Sequence, residues 1–335
     1  GTTVWAKQLK GRTTGNSSSK LKIDDLGNIY IFGQFTGLTD FDPGAGASNL
    51  NSNGEFDIYL LKLNPLGNFL WVRSYGGIDN DYAESFDINK DGDVYCISEF
   101  YDQTQVNLKS GTKILYSFGT SDVIVTKYNS IGDLLWANNF GGKDADIGAD
   151  IKIDSYNKKL FITGHFNDTA DFYYTSGGRR IVSKGDFDVY YLTLGYDGEF
   201  ICVNATGGSW YDFSSNLALN SKRDLFSIGT FNNTIDFGFG NGSNSITSNG
   251  SSDAFLLKFK NCVQKSSIDK ISACDSVKWI DGLTYYSDNN SAKISFNNIN
   301  CCDSTVFLDL KIYKHETLKV DLTVCDSISL NSHSF

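Results

Sequence analysis

Hydrophobic residues in the first 260 positions occur in short runs that are separated by turn residues. Three of these runs, at 30–35, 58–63 and 160–166, are nearly continuously apolar. A strand with one wet face should alternate apolar and polar residues, whereas a strand packed between two sheets is buried on both faces. The pattern therefore predicts an all-β chain whose sheets stack face to face.

The runs recur with a period of about 65 residues, and within one period the pattern predicts four strands. An Asp followed by apolar residues begins the third strand of each period, at spacings of 65, 66 and 65 residues: Asp57, Asp122, Asp188 and Asp253. In the second period we expect strands at 84–88, 94–100, 122–128 and 133–140, with turns at Asp91-Gly92 and Ile131-Gly132. The sequence thus contains four repeats.

A fourth strand follows the third in repeats 1 to 3, but it is missing from repeat 4. It carries Trp71, Trp136 or Cys202 and ends at a Gly pair, whereas Ser267, at the corresponding place in repeat 4, has neither feature. Residues 3–9 match this strand, so we expect the N-terminus to complete the last repeat and close a ring without exposed edges. An open solenoid would need capping ends and would not explain the missing strand. The prediction is a four-bladed β-propeller over residues 1–265.

Several motifs of these repeats resemble those of the SBBP-type bacterial β-propeller repeat. They are Asp-x-x-Gly-Asn-apolar-Tyr ending at Tyr30, Gly-x-Phe at 33–35, Asp-Phe-Asp-Pro-Gly at 40–44, and the run ending at Trp71. The resemblance covers about 260 residues and implies the propeller fold.

A different pattern begins near residue 266, where Cys-Asp-Ser recurs at 274–276, 302–304 and 325–327. The run that starts at Cys274 and includes Trp279 resembles the C-terminal repeat modules of Bacteroidetes surface proteins exported by type IX secretion. In those modules two cysteines flank one β unit. The resemblance implies small disulfide-linked, β-sandwich-like modules with a bridge from Cys274 to Cys302, or to Cys301 as second choice.

The predicted module over 266–322 is followed by the start of a second one, over 323–335. Apolar residues of this region would form a strand without partners in its own module: Val320, Leu322, Val324, Ile328 and Leu330. Either the chain continues and completes the module, or this strand is donated to the sheet of another subunit.

Charge and cysteine usage narrow the class of protein. The chain has 29 basic and 39 acidic residues, a net charge of −10 and a pI near 4.8, so we expect neither nucleic acid nor an anionic membrane as partner. No apolar run approaches the length of a membrane span. Five of the seven cysteines cluster after residue 260, which is typical of extracellular disulfide chemistry.

One ligand-like motif is Asp87-x-Asn89-x-Asp91-Gly92-Asp93, which matches the first half of a calcium loop. It lacks the Glu at the twelfth position, and the same hairpin in the other repeats needs only turn residues. We therefore expect an ordinary turn, with calcium as the alternative and no other cofactor. Asp-Phe pairs at 40–41, 171–172 and 236–237 could bind cations or sugars, but such residues more often cap turns.

No catalytic constellation is apparent. The three histidines, His165, His315 and His333, share no spacing with one another or with cysteine, and no nucleophile elbow or phosphate loop occurs. Asp-Ser/Thr followed by a small or apolar residue resembles the O-glycosylation signal of Bacteroidetes, which implies glycans at Thr169, Ser276 or Ser327.

These observations favour a non-enzymatic, extracellular structural or adhesive surface glycoprotein. Its partners would be copies of itself or other surface proteins, joined into filaments by strand donation. The alternative is a carbohydrate-binding propeller on a C-terminal stalk, with loop aromatics at 173–174 and 210–211 as sugar platforms.

Overall fold

The computed structural model describes residues 1–11, 17–173, 179–239, 243–260, 265–296 and 304–315, together with 323 and 325. Strands make up the regular structure of these residues, and no helix occurs among them. The all-β prediction is confirmed. The chain divides into two compact units, one formed by the four repeats and one by the strands after them.

Repeats 1 to 3 each contain four antiparallel strands in the order inner, second, third and outer strand. The end of the outer strand of repeat 2 also pairs with the second strand of repeat 3, which joins these two repeats into one eight-stranded sheet. In repeat 1 these are β2 (Ser17–Ile23), β3 (Ile29–Phe35), β6 (Asp57–Leu63) and β7 (Phe69–Tyr75), with β1 (Lys10–Gly11), β4 (Leu38–Asp40) and β5 (Asn49–Asn51) in a small accessory sheet. In repeat 2 they are β8 (Tyr82–Ile88), β9 (Val94–Leu108), β10 (Gly111–Tyr128) and β11 (Leu134–Gly142). In repeat 3 they are β12 (Asp146–Asp154), β13 (Lys159–Asp171), β14 (Arg180–Gly195) and β15 (Phe200–Thr206).

In the part of the chain that the structure describes, repeat 4 is shorter by one strand. Its sheet has the order β16 (Phe213–Leu219), β17 (Leu225–Phe231) and β20 (Asp253–Phe259), beside a hairpin of β18 (Thr234–Asp236) and β19 (Ser245–Thr247). The four strands expected in repeat 2 are present at the predicted places, with β9 and β10 extended into a long hairpin.

The hairpins share one turn design. A side-chain oxygen at the start of the turn accepts two backbone N–H groups: Asn89 Oδ1 from Asp91 and Asp93, and Asn129 Oδ1 from Ile131 and Asp133. The third residue after this cap takes a positive φ, which Gly adopts without strain, as Gly92 does at 79° and Gly132 at 85°. These turns fix the register of the sheets.

Successive sheets stack face to face. We call the face of a sheet that packs on the following repeat its forward face, and the opposite one its backward face. Three clusters of buried side chains join forward to backward faces, between repeats 1 and 2, 2 and 3, and 3 and 4. The third strands β6, β10 and β14 lie between two layers, and this explains why their sequences are continuously apolar.

The predicted ring closure is not present in the described residues. Residues 1–9 form no strand, and the sheet of repeat 4 ends at β20. The N-terminal segment lies instead on repeat 1, where Leu9 packs on the cluster around Phe41 and Tyr59, and where β1 pairs with β4.

The second unit contains β21 (Lys265–Cys274), β22 (Val277–Lys278), β23 (Thr284–Tyr285), β24 (Lys293–Phe296) and β25 (Ser304–Tyr313). β21 and β25 are parallel, and β24 pairs antiparallel with β25. Trp279 forms the core with Leu308 and Leu310, and its Nε1 donates to Asp269 Oδ2 at 2.8 Å.

The expected bridge from Cys274 to Cys302 is wrong, because Cys274 is a free, exposed thiol. The reason is the direction of β25. Ser304, which follows Cys302 closely in sequence, pairs with Lys265, whereas Cys274 pairs with Tyr313 at the other end of the sheet. The two ends of such a strand pair are about 30 Å apart, and bridged Cα atoms need about 7 Å or less.

Candidate functional site

Each boundary between successive repeats contains two buried aspartates. One begins the third strand of a repeat, and the other begins or directly precedes the inner strand of the next repeat. All six side chains are at most 2% exposed: Asp57 with Asp81, Asp122 with Asp146, and Asp188 with Asp212.

The Gly pair after each outer strand fits over these carboxylates. Gly142 N donates to Asp146 Oδ2 at 2.6 Å, and Gly77 and Gly208 make the same bond to Asp81 and Asp212. A Cβ atom on Gly141 would lie 2.4 Å from Asp122 Oδ1 and 2.8 Å from Asp146 Oδ2. The two carboxylates therefore converge on one point, and only Gly leaves room for them there.

Burial raises the pKa of these carboxyl groups, and for Asp81, Asp146 and Asp188 the facing carboxylate raises it further. The pKa of Asp81 and of Asp146 rises to about 8, that of Asp122 to about 7 and that of Asp188 to about 6. In the described part of the chain, five of the Oδ1 atoms have no hydrogen-bond partner: those of Asp57, Asp81, Asp122, Asp146 and Asp188. The pairs of Asp57 with Asp81 and of Asp122 with Asp146 can therefore hold a proton at neutral pH, sealed from solvent.

The calcium candidate forms a turn, in which side-chain oxygens of Asp87, Asn89 and Asp93 have other partners. Asp87 Oδ1 accepts from Lys22 Nζ of repeat 1 at 2.5 Å, and its Oδ2 accepts from Ile153 N of repeat 3 at 3.0 Å. Asn89 folds over its own turn, while Asp93 Oδ2 lies 3.5 Å from Lys127 Nζ. Asp87 therefore joins the inner strands of three repeats, and Asp91 and Asp93 contribute backbone N–H groups to the turn. No group of three or more metal-ligating side chains occurs among the described residues.

The repeated Asp-Phe pairs cap turns and anchor loops. Asp40 Oδ1 accepts from the backbone of Asp42 and Ser48, and Asp236 Oδ1 accepts from Gly238 and Asn244. The following phenylalanines are buried: Phe41, Phe172 and Phe237.

The other predicted residues are scattered over the chain. His165 packs against Phe187 and Phe213, and burial lowers its pKa to about 4. Thr169 is half-buried on β13, with its hydroxyl on Asp168, and Ser276 is half-buried after β21. Cys302, Ser327 and the assembly residues Val320, Leu322, Val324, Ile328 and Leu330 lie outside the described residues.

The free cysteines also include Cys96, which is buried in repeat 2, and the exposed Cys325. Cys202 is disulfide-bonded, and since Cys96, Cys274 and Cys325 are free, none of them is its partner. Cys202 occupies the place that Trp71 and Trp136 hold in the earlier outer strands.

The forward face of repeat 4 is open, although it carries the pattern of the covered faces. Its third strand places Leu256 where the earlier repeats have side chains that are 1%, 0% and 6% exposed: Leu60, Val125 and Tyr191. Leu256 is 72% exposed, and Ile228 beside it on β17 is 46% exposed.

The backward face of repeat 1 is open at its inner strand. Leu21 is 61% exposed, whereas the residues at its position in the later repeats are 0%, 0% and 4% exposed: Phe86, Ile151 and Leu217. Ile23 on the same strand is 62% exposed. The two ends of the array thus expose the two halves of the interface that joins its repeats.

The N-terminal segment contacts repeat 1 as an outer strand contacts the following repeat. A Cβ atom on Gly67 would meet Trp5 and Lys7 at 3.2–3.3 Å. The equivalent turn glycines, Gly132 and Gly198, face Trp71 with Arg73 and Trp136 with Asn138 in the same way. The pairing of Lys10 with Asp40 likewise matches that of Gly141 with Asp171.

None of the described residues belongs to a helix that could span a membrane. No family model matches the chain. It is similar to a regulatory protein, FlaEY, of Caulobacter vibrioides, with 25% identity over 198 residues that cover 58% of this chain and 19% of the relative. An uncharacterized WD repeat-containing protein, L264, of Acanthamoeba polyphaga mimivirus is 24% identical over 206 residues, 54% of this chain and 15% of the relative. The chain therefore matches less than a fifth of the length of either relative. The chain itself is all-β and built of repeats.

Proposed function

We propose that the chain is a non-enzymatic, extracellular structural protein whose four repeats form a propeller-like array that works by assembly with copies of itself or with other surface proteins. The observation that carries this proposal is the pair of open ends. Leu256 and Leu21 are exposed at positions where each internal interface buries an apolar side chain. Surfaces of this kind mark sites of protein association.

Two further features support a structural role outside the cell. The carboxyl groups with raised pKa are sealed between repeats, with Asp81 and Asp122 at 0% exposure, so a substrate would not reach them. The disulfide at Cys202 is consistent with an oxidising compartment. The resemblance to type IX-exported modules and the glycan signals at Thr169, Ser276 and Ser327 point in the same direction.

Light scattering and negative-stain microscopy of the purified protein over a concentration series test the proposal. We expect particles much larger than a monomer, with a regular repeat. A monodisperse monomer at every concentration would contradict the assembly function. Deleting residues 320–335 tests whether the C-terminal segment is the donated strand, since that deletion would then abolish assembly and leave the repeats folded.

A carbohydrate-binding function is the second candidate, and one observation favours it. Trp210 is 52% exposed and Tyr211 is 41% exposed on the connection between β15 and β16. Tyr211 stacks on Phe187 and Phe213, which holds its ring at the surface. A glycan array should then give hits that Trp210→Ala removes. An array without hits would contradict carbohydrate binding and leave assembly as the remaining candidate function.

A further inference from the structure

The sheet of repeat 4 has an unfilled place beside β20. In repeats 1 to 3 the third strand lies between the second strand and an outer strand. β20 pairs with β17 on one side, and among the described residues no strand pairs with its other side. An edge of this kind presents unpaired N–H and C=O groups that bind an added strand.

Residues 3–9 have the sequence pattern and the contacts of an outer strand, but they pair with no strand among the described residues. Trp5 and Lys7 sit on the Gly67 turn as Trp71 and Arg73 sit on the Gly132 turn, yet residues 1–9 belong to no strand. Ala6 is exposed, whereas its counterparts in the paired outer strands are at most 7% exposed: Val72, Ala137 and Val203. The segment is held in the place that the outer strand of a preceding repeat would occupy.

We propose that two molecules join head to tail, with residues 3–9 of one molecule adding to β20 of the other as its outer strand. The proposal rests on the assembly function and names the surfaces that carry it. In repeats 1 and 2 the strand pairs match Lys62 with Trp71 and Lys127 with Trp136. The same register pairs Lys258 with Trp5, Leu257 with Ala6 and Leu256 with Lys7.

The joined molecules would also bury the two open faces against each other. The forward face of repeat 4 carries Ile228, Leu256 and Lys258, and the backward face of repeat 1 carries Leu21 and Ile23. In the first internal interface Lys62 Nζ donates to Ser130 O in the turn of the next repeat, at 3.1 Å. Lys258 takes the position of Lys62, so its ammonium would reach the corresponding carbonyl of Pro65 in the second molecule.

A second molecule is the occupant that the geometry favours. Within one chain the donor rests on repeat 1 and the acceptor edge is open, so the two halves of the contact lie at opposite ends of the array. The interface between molecules would then continue the interface already formed three times within the chain. A heterologous contact of this kind propagates into a filament.

Complementation between two variants tests the proposal. Leu256→Asp disrupts the forward face of repeat 4, and Leu21→Asp disrupts the backward face of repeat 1. Both side chains are more than 60% exposed, so neither substitution buries a charge in the monomer. Ile131→Asp, at a turn of repeat 2 that is 64% exposed and lies away from both ends of the array, is the matched control. Circular dichroism and thermal melting should show all three variants folded like the parent chain.

Each end variant alone should raise the concentration needed for assembly at least about tenfold. An equimolar mixture should give one-to-one dimers and nothing larger. The reason is that the Leu21→Asp chain keeps an intact forward face and the Leu256→Asp chain keeps an intact backward face, so each chain can form one contact. Ile131→Asp should assemble like the parent chain. Assembly unaffected by either end variant would overturn the head-to-tail contact and leave the assembly function standing, whereas a parent chain that stays monomeric would overturn both.

Discussion

The third strands of repeats 1 to 3 and that of repeat 4 have similar sequences but different surroundings. β6 is buried at all seven positions, while β20 has exposed residues alternating along it. Leu60 is 1% exposed and Leu256, at the same place in its repeat, is 72% exposed. The difference comes from the neighbours, because repeat 1 has a repeat in front of it and an outer strand beside β6, whereas among the described residues repeat 4 has neither.

This contrast shows what a continuous apolar run means in a repeat protein. It indicates that a strand is suited to be covered on both faces, and it leaves open which part of which molecule covers it. In repeats 1 to 3 the cover is the same chain. In repeat 4 we attribute it to a second molecule.

The largest effect should separate the covered from the open position. Leu60→Ala should lower the free energy of unfolding by about 2–5 kcal/mol, because it leaves a cavity between two repeats. Leu256→Ala should change it by less than about 0.5 kcal/mol in the monomer. Urea denaturation of both variants measures the difference, and equal losses would show that β20 is covered in the monomer.

A smaller effect is expected where the Gly pair meets the carboxylates. Gly141→Ala forces a methyl group to within 2.4 Å of Asp122 Oδ1, and Gly111→Ala, also at a positive φ, meets nothing within 4 Å. Gly141→Ala should therefore cost about 1–3 kcal/mol more than Gly111→Ala. Similar melting curves for the two variants would mean that the carboxylates do not hold their places tightly.

The boundary carboxylates should also make stability depend on pH. Asp146 has its pKa raised from 3.8 to about 8, so the folded state binds its proton more tightly than the unfolded state does. Its contribution to stability is thus full at low pH and is lost as the pH rises from about 4 to about 8. Asp146→Asn should flatten this fall and stabilise the protein near pH 8 by about 1 kcal/mol or more, as seen in melts across that range.

Asp253→Asn is the matched control for this effect, because Asp253 stands at the start of β20, where no following repeat buries it. It should leave the pH profile of the melting temperature unchanged. A profile that Asp146→Asn leaves unaltered, or that rises toward alkaline pH in the parent chain, would rule out the shared proton at this boundary.

The smallest effect on the monomer is expected at the N-terminus. Trp71→Ala should lower the melting temperature by several degrees, because Trp71 packs against Gly132 and its Nε1 points at Ser130 O. Trp5→Ala should leave the monomer unchanged within about 0.5 kcal/mol, since Trp5 is 40% exposed, and should weaken assembly. A Trp5→Ala protein that assembles normally would show that residues 3–9 take no part.

Much of the repeat unit could be predicted from sequence, because strand periodicity and turn chemistry act locally. The strands of repeat 2, the Asx turns and the fourfold period are examples. The carboxylate pairs were missed, since their members belong to different repeats and converge only when the sheets stack. A signal was present, because the spacing from Asp57 to Asp81 recurs from Asp122 to Asp146 and from Asp188 to Asp212.

Two expectations were wrong, because they depended on features that cannot be read from the sequence. The similarity of residues 3–9 to the outer strands is real, yet it does not say which sheet they join, and here they lie on repeat 1. The bridge from Cys274 required two neighbouring strand ends, whereas β21 and β25 run parallel. The relative direction of two paired strands, and the segment that pairs with a sheet edge, both depend on contacts between residues far apart in the sequence.

The most direct test is a cross-link in the register that places Ala6 beside Leu257. The double variant Ala6→Cys, Leu257→Cys would be made in a Cys274→Ser, Cys325→Ser background, which removes the exposed free thiols of the described residues. It would be oxidised under assembly conditions and analysed on non-reducing gels. The account predicts a ladder of covalent multimers, because each bond joins two molecules. A cross-linked monomer would instead mean that the chain closes its own ring, and the head-to-tail account would be wrong.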